Sequence, residues 1–411
     1  MAVTLSDKAQ PVEPGDLENV QPGYLGTTPP LGPPPTKGER RWIDRPDQLL
    51  QAIQLLKQSS VIAIDAEFTQ VRSFTPRAGT TAAPTSVSSN RLALLQLAID
   101  HYCFIVDAWR LGDLSPLASV TTNPEITILL HGAGADMQVM AERGLSVAHY
   151  CDLEAASRSI FGQHESSLAA MLQRAFNVRL DKSLQRTDWT RRPLPTAMVS
   201  YAARDAEMTL ALHYWLDEHY HWALQLHEHT GQQEAVPTWM EPFLHGTLPV
   251  PTEVAISEAS GIQELLSEEE LYADCRTALA TLVQPMRRNR LLRLIADLSL
   301  MQLAPEIEPL LYAQASEERA AAARTLSRLH ASHAEELIRP LLRDPVYEVR
   351  KAAQKALRNL NSQTQRQQPQ RLASTRLADG VRSWTVGETS GAASDEDESE
   401  WKARLRTLMD E

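Results

Sequence analysis

Four strand-forming residues, Val61-Ile62-Ala63-Ile64, run directly into two carboxylates, Asp65 and Glu67. A short apolar run rich in β-branched side chains reads as a buried strand. Residues i and i+2 of a strand share a face, so Asp65 and Glu67 leave it side by side. Paired anions at the C-terminal end of a buried strand repel each other unless water or a cation separates them. In α/β sheets such strand ends are where ligands commonly bind.

The flanking sequence predicts the rest of an α/β domain. Further strands are expected over Arg91–Ile99, Cys103–Asp107 and Ile126–Leu130. Helical spacing of apolar residues covers Asp47–Lys57, 134–143, 152–161, 166–176 and 196–220. Strands come first and helices then alternate with a strand, an order that suggests a mixed sheet.

Outside this domain the chain changes character. Residues 1–40 are Pro-rich, with no apolar period, and read as disordered. Residues 77–90, all small or polar apart from one arginine and one valine, predict a flexible loop. The domain is bounded at 41–225, with a helical extension and linker over 226–260. Ile307–Leu329 and Ile338–Leu360 then align without a gap at an offset of 31, ten of 23 positions being identical. A weaker copy lies 31 residues earlier, with Leu279, Arg288, Ile295 and Leu298 in register. Each copy gives two amphipathic helices that must stack on a neighbour to bury their apolar faces. Residues 261–360 therefore resemble HEAT-type repeats, and Arg288, Arg319 and Arg350 could form a basic ridge or turn inward. Residues 361–411 form a polar tail, with the acidic run Asp395–Glu398, that reads as mostly disordered.

Net charge is −12, which at first disfavours a phosphate-bearing substrate. Residues 41–225 account for only −3 of it and 261–360 for none, so the acidity lies mainly in the tails and linker. The three cysteines, Cys103, Cys151 and Cys275, have neither metal-ligand nor redox spacing, which suits a reducing, cytoplasmic setting. No apolar run approaches the ~20 residues that a membrane span needs. The N-terminus shows neither the basic start nor the apolar stretch of a signal peptide.

Two more acids complete a pattern. Asp136 follows the apolar run ending at Leu130, through His131-Gly132-Ala133-Gly134-Ala135, and Asp205 lies one helical turn after Tyr201. Neither is distinctive alone, because Asp favours helix first turns and Tyr/Asp pairs are common on helices. Their order within one domain singles them out. Ala63–Phe68, His131–Asp136, Leu180-Asp181-Lys182-Ser183, Arg186-Thr187-Asp188-Trp189, Arg192-Pro193-Leu194 and Tyr201-Ala202-Ala203-Arg204-Asp205 together resemble the ribonuclease D group of DEDD 3′→5′ exonucleases, tyrosine subclass.

That resemblance implies a ribonuclease H-like fold and a two-metal exoribonuclease that releases nucleoside 5′-monophosphates from RNA 3′ ends, such as those of tRNA precursors. It implies Mg²⁺ or Mn²⁺ held by Asp65, Glu67, Asp136 and Asp205, with Asp65 bridging both ions, Asp136 acting through water, and Tyr201 orienting the attacking water. No His/Cys cluster supports zinc, and His131 reads more simply as a buried histidine. Phe68 could stack a terminal base or belong to the core. Arg72, Arg77 and Arg91, with Arg186, Arg191 and Arg192, are candidates to guide a single strand by its phosphates. Asp188 reads as a turn former. Two departures stand out: residues 77–90 are an insertion, and HEAT-like repeats replace the helical nucleic-acid-binding domain usual in bacterial ribonuclease D. Alternatives are a DNA 3′→5′ exonuclease, with single-stranded DNA as substrate, and an interaction protein that binds a protein partner through residues 261–360.

Overall fold

The computed structural model describes residues 29–75, 85–181, 183–184, 187–231, 234–245, 267–331, 333–367, 373–376 and 382–385. The chain divides into two compact units, Met1–Leu357 and Arg358–Glu411.

The first unit is built on a seven-stranded mixed sheet. Its strands are β1 (Glu39–Ile43), β2 (Val61–Thr75), β3 (Thr85–Ile99), β4 (Tyr102–Val106), β5 (Thr127–Leu130), β6 (Tyr150–Asp152) and β7 (Glu228–His229). They are ordered β1-β4-β3-β2-β5-β6-β7. β2 runs parallel to β5 and antiparallel to β3, and β5 runs parallel to β6. The C-terminal ends of β2, β4 and β5 therefore lie at one end of the sheet.

The apolar run that opens β2 is a central strand because both of its faces are covered. Ile62 and Ile64 face one core, with helix α1 (Pro46–Leu56) and helix α2 (Ala133–Ala141). Ala63 faces the other, with α3 (Leu153–Phe161), α4 (Leu168–Phe176) and the long α5 (Thr196–Leu226). Ala202, Ala203 and Ala206 let α5 approach the sheet closely, and all three are fully buried. The thiols of Cys103 on β4 and Cys151 on β6 donate to the α5 carbonyls of Ala203 and Leu224, each at 3.6 Å. All three cysteines are free and buried.

Several boundaries differ from expectation. The disorder expected over 1–40 does not extend to 29–40. The Gly32 amide donates to the Ala175 carbonyl at 2.8 Å, Trp215 Nε1 donates to the Pro30 carbonyl at 3.2 Å, and β1 begins at Glu39. A Cβ on Gly32 would come within 2.8 Å of the Phe176 ring, so only glycine permits this approach. The Pro-rich stretch lacks an apolar period because its contacts are made by backbone atoms.

The loop expected over 77–90 is in part strand. β2 and β3 continue as an antiparallel arm to the pair Thr75/Thr85, so Thr85–Asn90 is paired backbone. Backbone pairing alone, rather than an apolar run, marks these residues as strand. The sheet also passes the expected limit at 225, because β7 adds an edge strand to β6. Its two residues are too few to show alternation.

The repeat region, described from residue 267, is helical: α6 (Glu268–Thr281), α7 (Pro285–Asp297), α8 (Ser316–Leu329) and α9 (Tyr347–Gln367), with shorter helical turns at Ala304–Tyr312 and Ala334–Arg343. α8 is bonded to the helices of the copies on either side of it. Thr325 Oγ1 donates to the Leu292 carbonyl at 3.1 Å, and Ser327 Oγ to the Ala356 carbonyl at 2.9 Å. The repeated arginines turn inward and give no basic ridge. Arg288 binds Glu318, Arg319 binds both oxygens of Asp344, and Arg350 binds the carbonyls of Asp344 and Pro345. α9 runs past the expected end of the repeats at 360. The second unit, within the tail expected to be mostly disordered, contains an antiparallel pair, Ala373–Arg376 with Arg382–Thr385.

One ion pair near the sheet end tests how the fold is fastened. Arg192 donates to both oxygens of Asp107, at 2.7 and 2.5 Å, and to the carbonyls of Trp189 and Arg191. The side chains are 13% and 0% exposed. Removing one partner strands a buried charge, so Asp107→Ala should destabilise the chain by about 3–5 kcal/mol in urea unfolding. A loss within experimental error would show that the pair contributes nothing to stability.

Candidate active site

Asp65 and Glu67 sit on β2 just before a bulge between Glu67 and Phe68. Both project toward α5, on the face opposite Ile64 and Ala66. Asp205 comes from α5, one turn after Tyr201. Ligand atoms of Asp65, Glu67 and Asp205 all lie within 4.8 Å of one another. Asp136, in the first turn of α2, stands outside that group, yet its charge is close enough to raise the pKa of Asp65.

The acids are forced together against their electrostatics. Burial, then the charges of Asp136 and Asp205, holds Asp65 well above the carboxylate range. Burial, followed by Asp65, Asp205 and Asp136, pushes Glu67 up to about 10. Burial and the charge of Asp152 raise Asp136 to about 7. Among the described residues, Asp65, Glu67 and Asp136 make no ion pair with lysine or arginine. Carboxylates this close, one buried and two half-buried, offering only oxygen donors, fit a hard divalent cation.

Residues that sequence reasoning passed over shape the cluster. Asp152 accepts from the amides of Gly132 and Ala133 at 2.9 and 3.2 Å, and caps α3 through the amides of Glu154 and Ala155. It thereby fixes the turn that delivers Asp136. That turn needs Gly132, whose φ is 82°. The signal was an acid immediately before a helical period, an N-cap pattern. Gln96 faces Asp65 across the β2–β3 ladder, with both ends of its amide buried and unpaired among the described residues. Arg40 grips both oxygens of Glu207 at 2.8 and 2.7 Å and reaches Ser200 Oγ at 2.8 Å, tying β1 to α5 on either side of Tyr201 and Asp205.

Tyr201 hydrogen-bonds Asp205, and burial beside that carboxylate pushes its phenol above its ordinary 10. Its ring centre lies 6.1 Å from that of the buried Trp189. His131 is held neutral chiefly by burial. Asp188 accepts from the amide and hydroxyl of Thr190 at 3.0 and 2.6 Å, forming a turn.

The other expected substrate contacts separate. Phe68 packs against the core around Ile62 and Ile64, because alternation along β2 sets it on the face opposite the acids. Arg192 is committed to Asp107 and is not available for phosphate. Arg191 is exposed. Arg91 is exposed and stacks over Trp109 at 4.4 Å. Arg72 belongs to the β2 arm. Arg77 and Arg186 lie outside the described residues.

The uncompensated acids make stability depend on pH. Glu67 has an ordinary value of 4.5 and is lifted to about 10, so between these values the folded chain holds a proton that the unfolded chain has released. Stability then falls as pH rises through that window. The metal-free melting temperature should drop between about pH 6 and about pH 8.5. Mg²⁺ or Mn²⁺ should restore it, with the larger increment at the higher pH, because binding displaces those protons. A metal increment independent of pH would contradict this.

The 3′–5′ exonuclease family matches residues 40–219. Ribonuclease D of Haemophilus influenzae is 28% identical over 171 residues, 41% of this chain and 39% of that protein. Protein RRP6-like 3 of Arabidopsis thaliana is 32% identical over 171 residues, 41% of this chain and 18% of that protein. The exosome complex exonuclease RRP6 of Saccharomyces cerevisiae is 30% identical over 174 residues, 42% of this chain and 22% of that protein. The chain thus spans less than half the length of each of these relatives. Among solved structures, Escherichia coli RNase D aligns with a TM-score of 0.39 at 21% identity, covering 79% of this chain and 75% of that one.

Proposed function

We propose that residues 40–219, which match the 3′–5′ exonuclease family, form a ribonuclease D-like domain, and that the protein is a metal-dependent exoribonuclease that shortens RNA from its 3′ end. The observation that carries this reading is the convergence of Asp65, Glu67 and Asp205 within 4.8 Å, with Asp136 near enough to raise Asp65.

Asp65, Glu67 and Asp205 would hold one cation, and Asp136, whose charge acts on Asp65, would help hold a second. When bound, the cations neutralise the phosphate and make water a competent nucleophile at neutral pH. The oxygen-only donors suit Mg²⁺ or Mn²⁺. Tyr201 keeps its proton at neutral pH, and once a cation engages Asp205 the hydroxyl that now donates to that carboxylate would turn to orient the attacking water. Water attacks the terminal phosphodiester, the 3′-oxygen of the preceding nucleotide leaves, and a nucleoside 5′-monophosphate departs.

The acids address the phosphate alone, and discrimination of the sugar needs a contact to the 2′-hydroxyl. The preference for RNA is supported by the ribonuclease D and RRP6 relatives, and structured precursors such as those of tRNA are our proposed substrates. We read residues 261–360 as a HEAT-like array that could dock a protein partner, and a cytoplasmic setting is supported by the three free buried thiols. Among the described residues no helix is long and apolar enough to cross a membrane.

Labelled RNA and single-stranded DNA should be incubated side by side with Mg²⁺. Stepwise 3′ shortening of RNA is expected, abolished in Asp205→Asn and lost on chelation. Tyr201→Phe should lower kcat about 100-fold with KM little changed. Shortening that persists in Asp205→Asn would refute the site, and a faster DNA digest would move the substrate to DNA.

A further inference from the structure

Beside the acids, at the same end of the sheet, three side chains form a patch that the hydrolytic reading leaves unused. Arg91 pairs across the ladder with Thr69, two residues beyond Glu67, about 7 Å further along the strand. Its guanidinium lies 4.4 Å from the centre of the Trp109 ring. Trp109 is 36% exposed, so part of its indole surface stays open beside the cation. Trp109 belongs to a short helix, Ala108–Leu111, that follows β4 directly. Arg143 fastens that helix by donating to the carbonyls of Ala108 at 3.0 Å and Gly112 at 2.6 Å.

The charges of this patch are poorly matched within the chain. Arg143 spends its hydrogen bonds on neutral carbonyls. Burial, and after it the charge of the nearby Arg91, disfavours the charged form of Arg143, while Asp113 acts in the opposite sense. The adjoining Arg110 is already paired with Asp44 at 3.2 Å. Among the described residues Arg91 makes no ion pair. Two guanidinium groups beside an open indole match the alternating phosphates and π-faces of a single strand. A duplex hides its base faces, and an acidic peptide gives the indole nothing to stack.

We propose that Arg91, Trp109 and Arg143 form an accessory subsite for single-stranded nucleic acid, engaging nucleotides 5′ of the one held at the acids. The direction of the strand rests on the exonuclease reading, whereas the binding does not. Arg91 and Arg143 would meet phosphates, and a base would stack on Trp109. Such a subsite grips several nucleotides without reading their sequence, as stepwise shortening requires.

The test uses the full chain carrying Asp205→Asn, so that no strand is consumed. Anisotropy of fluorescent oligouridylates from about two to about twelve nucleotides long gives affinity against length. Affinity should climb once the strand is long enough to reach the patch. Trp109→Ala should weaken the longer strands about ten-fold and remove the climb, and Trp109→Phe should restore most of it. Arg91→Gln, at an exposed position, should reduce the salt slope of log Kd by about 0.7, the loss of one phosphate contact. Unchanged long-strand binding in both Trp109→Ala and Arg91→Gln would overturn the proposal. So would equal losses in Trp109→Ala and Trp109→Phe with lowered melting temperatures, which would mark a packing role. Polyglutamate that binds the patch while RNA affinity ignores it would do the same, assigning the surface to an acidic protein. If Trp109→Ala does not fold, Trp109→Phe and Arg91→Gln decide the matter. A chain that binds through the patch yet leaves RNA intact before substitution defeats the exonuclease reading alone. A chain that degrades RNA while binding ignores the patch defeats this inference alone.

Discussion

The mutual repulsion of buried carboxylates is the interaction on which the rest of the structure depends. Asp65 and Glu67 arrive on β2, Asp205 on α5 and Asp136 on α2, and no described lysine or arginine pairs with the first two or the last. Groups that repel stay together only if their supporting elements cannot move apart. α5 is therefore packed tightly on the sheet through Ala202, Ala203 and Ala206, and two buried thiols bond to its carbonyls. The site is loaded electrostatically against the fold, and a divalent cation would remove that load. This is the usual relation between a functional site and the stability surrounding it.

Around the acids, polar groups hold geometry more than they add stability. Asp152 bonds four amides and so fixes both the turn before Asp136 and the start of α3. Arg192 and Asp107 join the segment before α5 to the end of β4. Arg40, Glu207 and Ser200 join β1 to α5 beside the catalytic candidates. Buried pairs of this kind are weak sources of net stability, but breaking one is costly, so they specify position. Asp107 also caps the helix bearing Trp109, which connects this scaffold to the exposed patch.

The helical repeats follow the same economy of charge. Arginines that recur every 31 residues are consumed by Glu318, by Asp344 and by backbone carbonyls inside the stack. Within the first unit the sheet-bearing part and the helical region are joined: Ser159 and His227 meet Glu317 at the start of α8, and Ser316 reaches the Arg158 carbonyl at 3.1 Å. The helical region therefore leans on the sheet-bearing part through partly buried polar contacts, and its repeated arginines are turned inward.

The acid pattern stood out in the sequence because strand and helix periods are local. An apolar run ending in Asp65-Ala66-Glu67 and a helical turn from Tyr201 to Asp205 need no tertiary knowledge, and the repeat spacing is arithmetic. Those features determined an α/β domain, its central strand, the stacked helices and the acids. Tertiary structure decided what depends on partners distant in the chain. It joined Asp65, Glu67 and Asp205 but left Asp136 just outside their group, packed Phe68 partly into the core on the other face of β2, and spent Arg192 on Asp107. It ordered residues 29–40 through backbone atoms and paired Thr85–Asn90 into an arm. A residue's type records which bonds it can make, but whether a guanidinium meets a carboxylate, a carbonyl or an open indole depends on which distant segment the fold sets beside it. For that reason Arg91 and Arg192, alike as letters, differ in what they are free to bind.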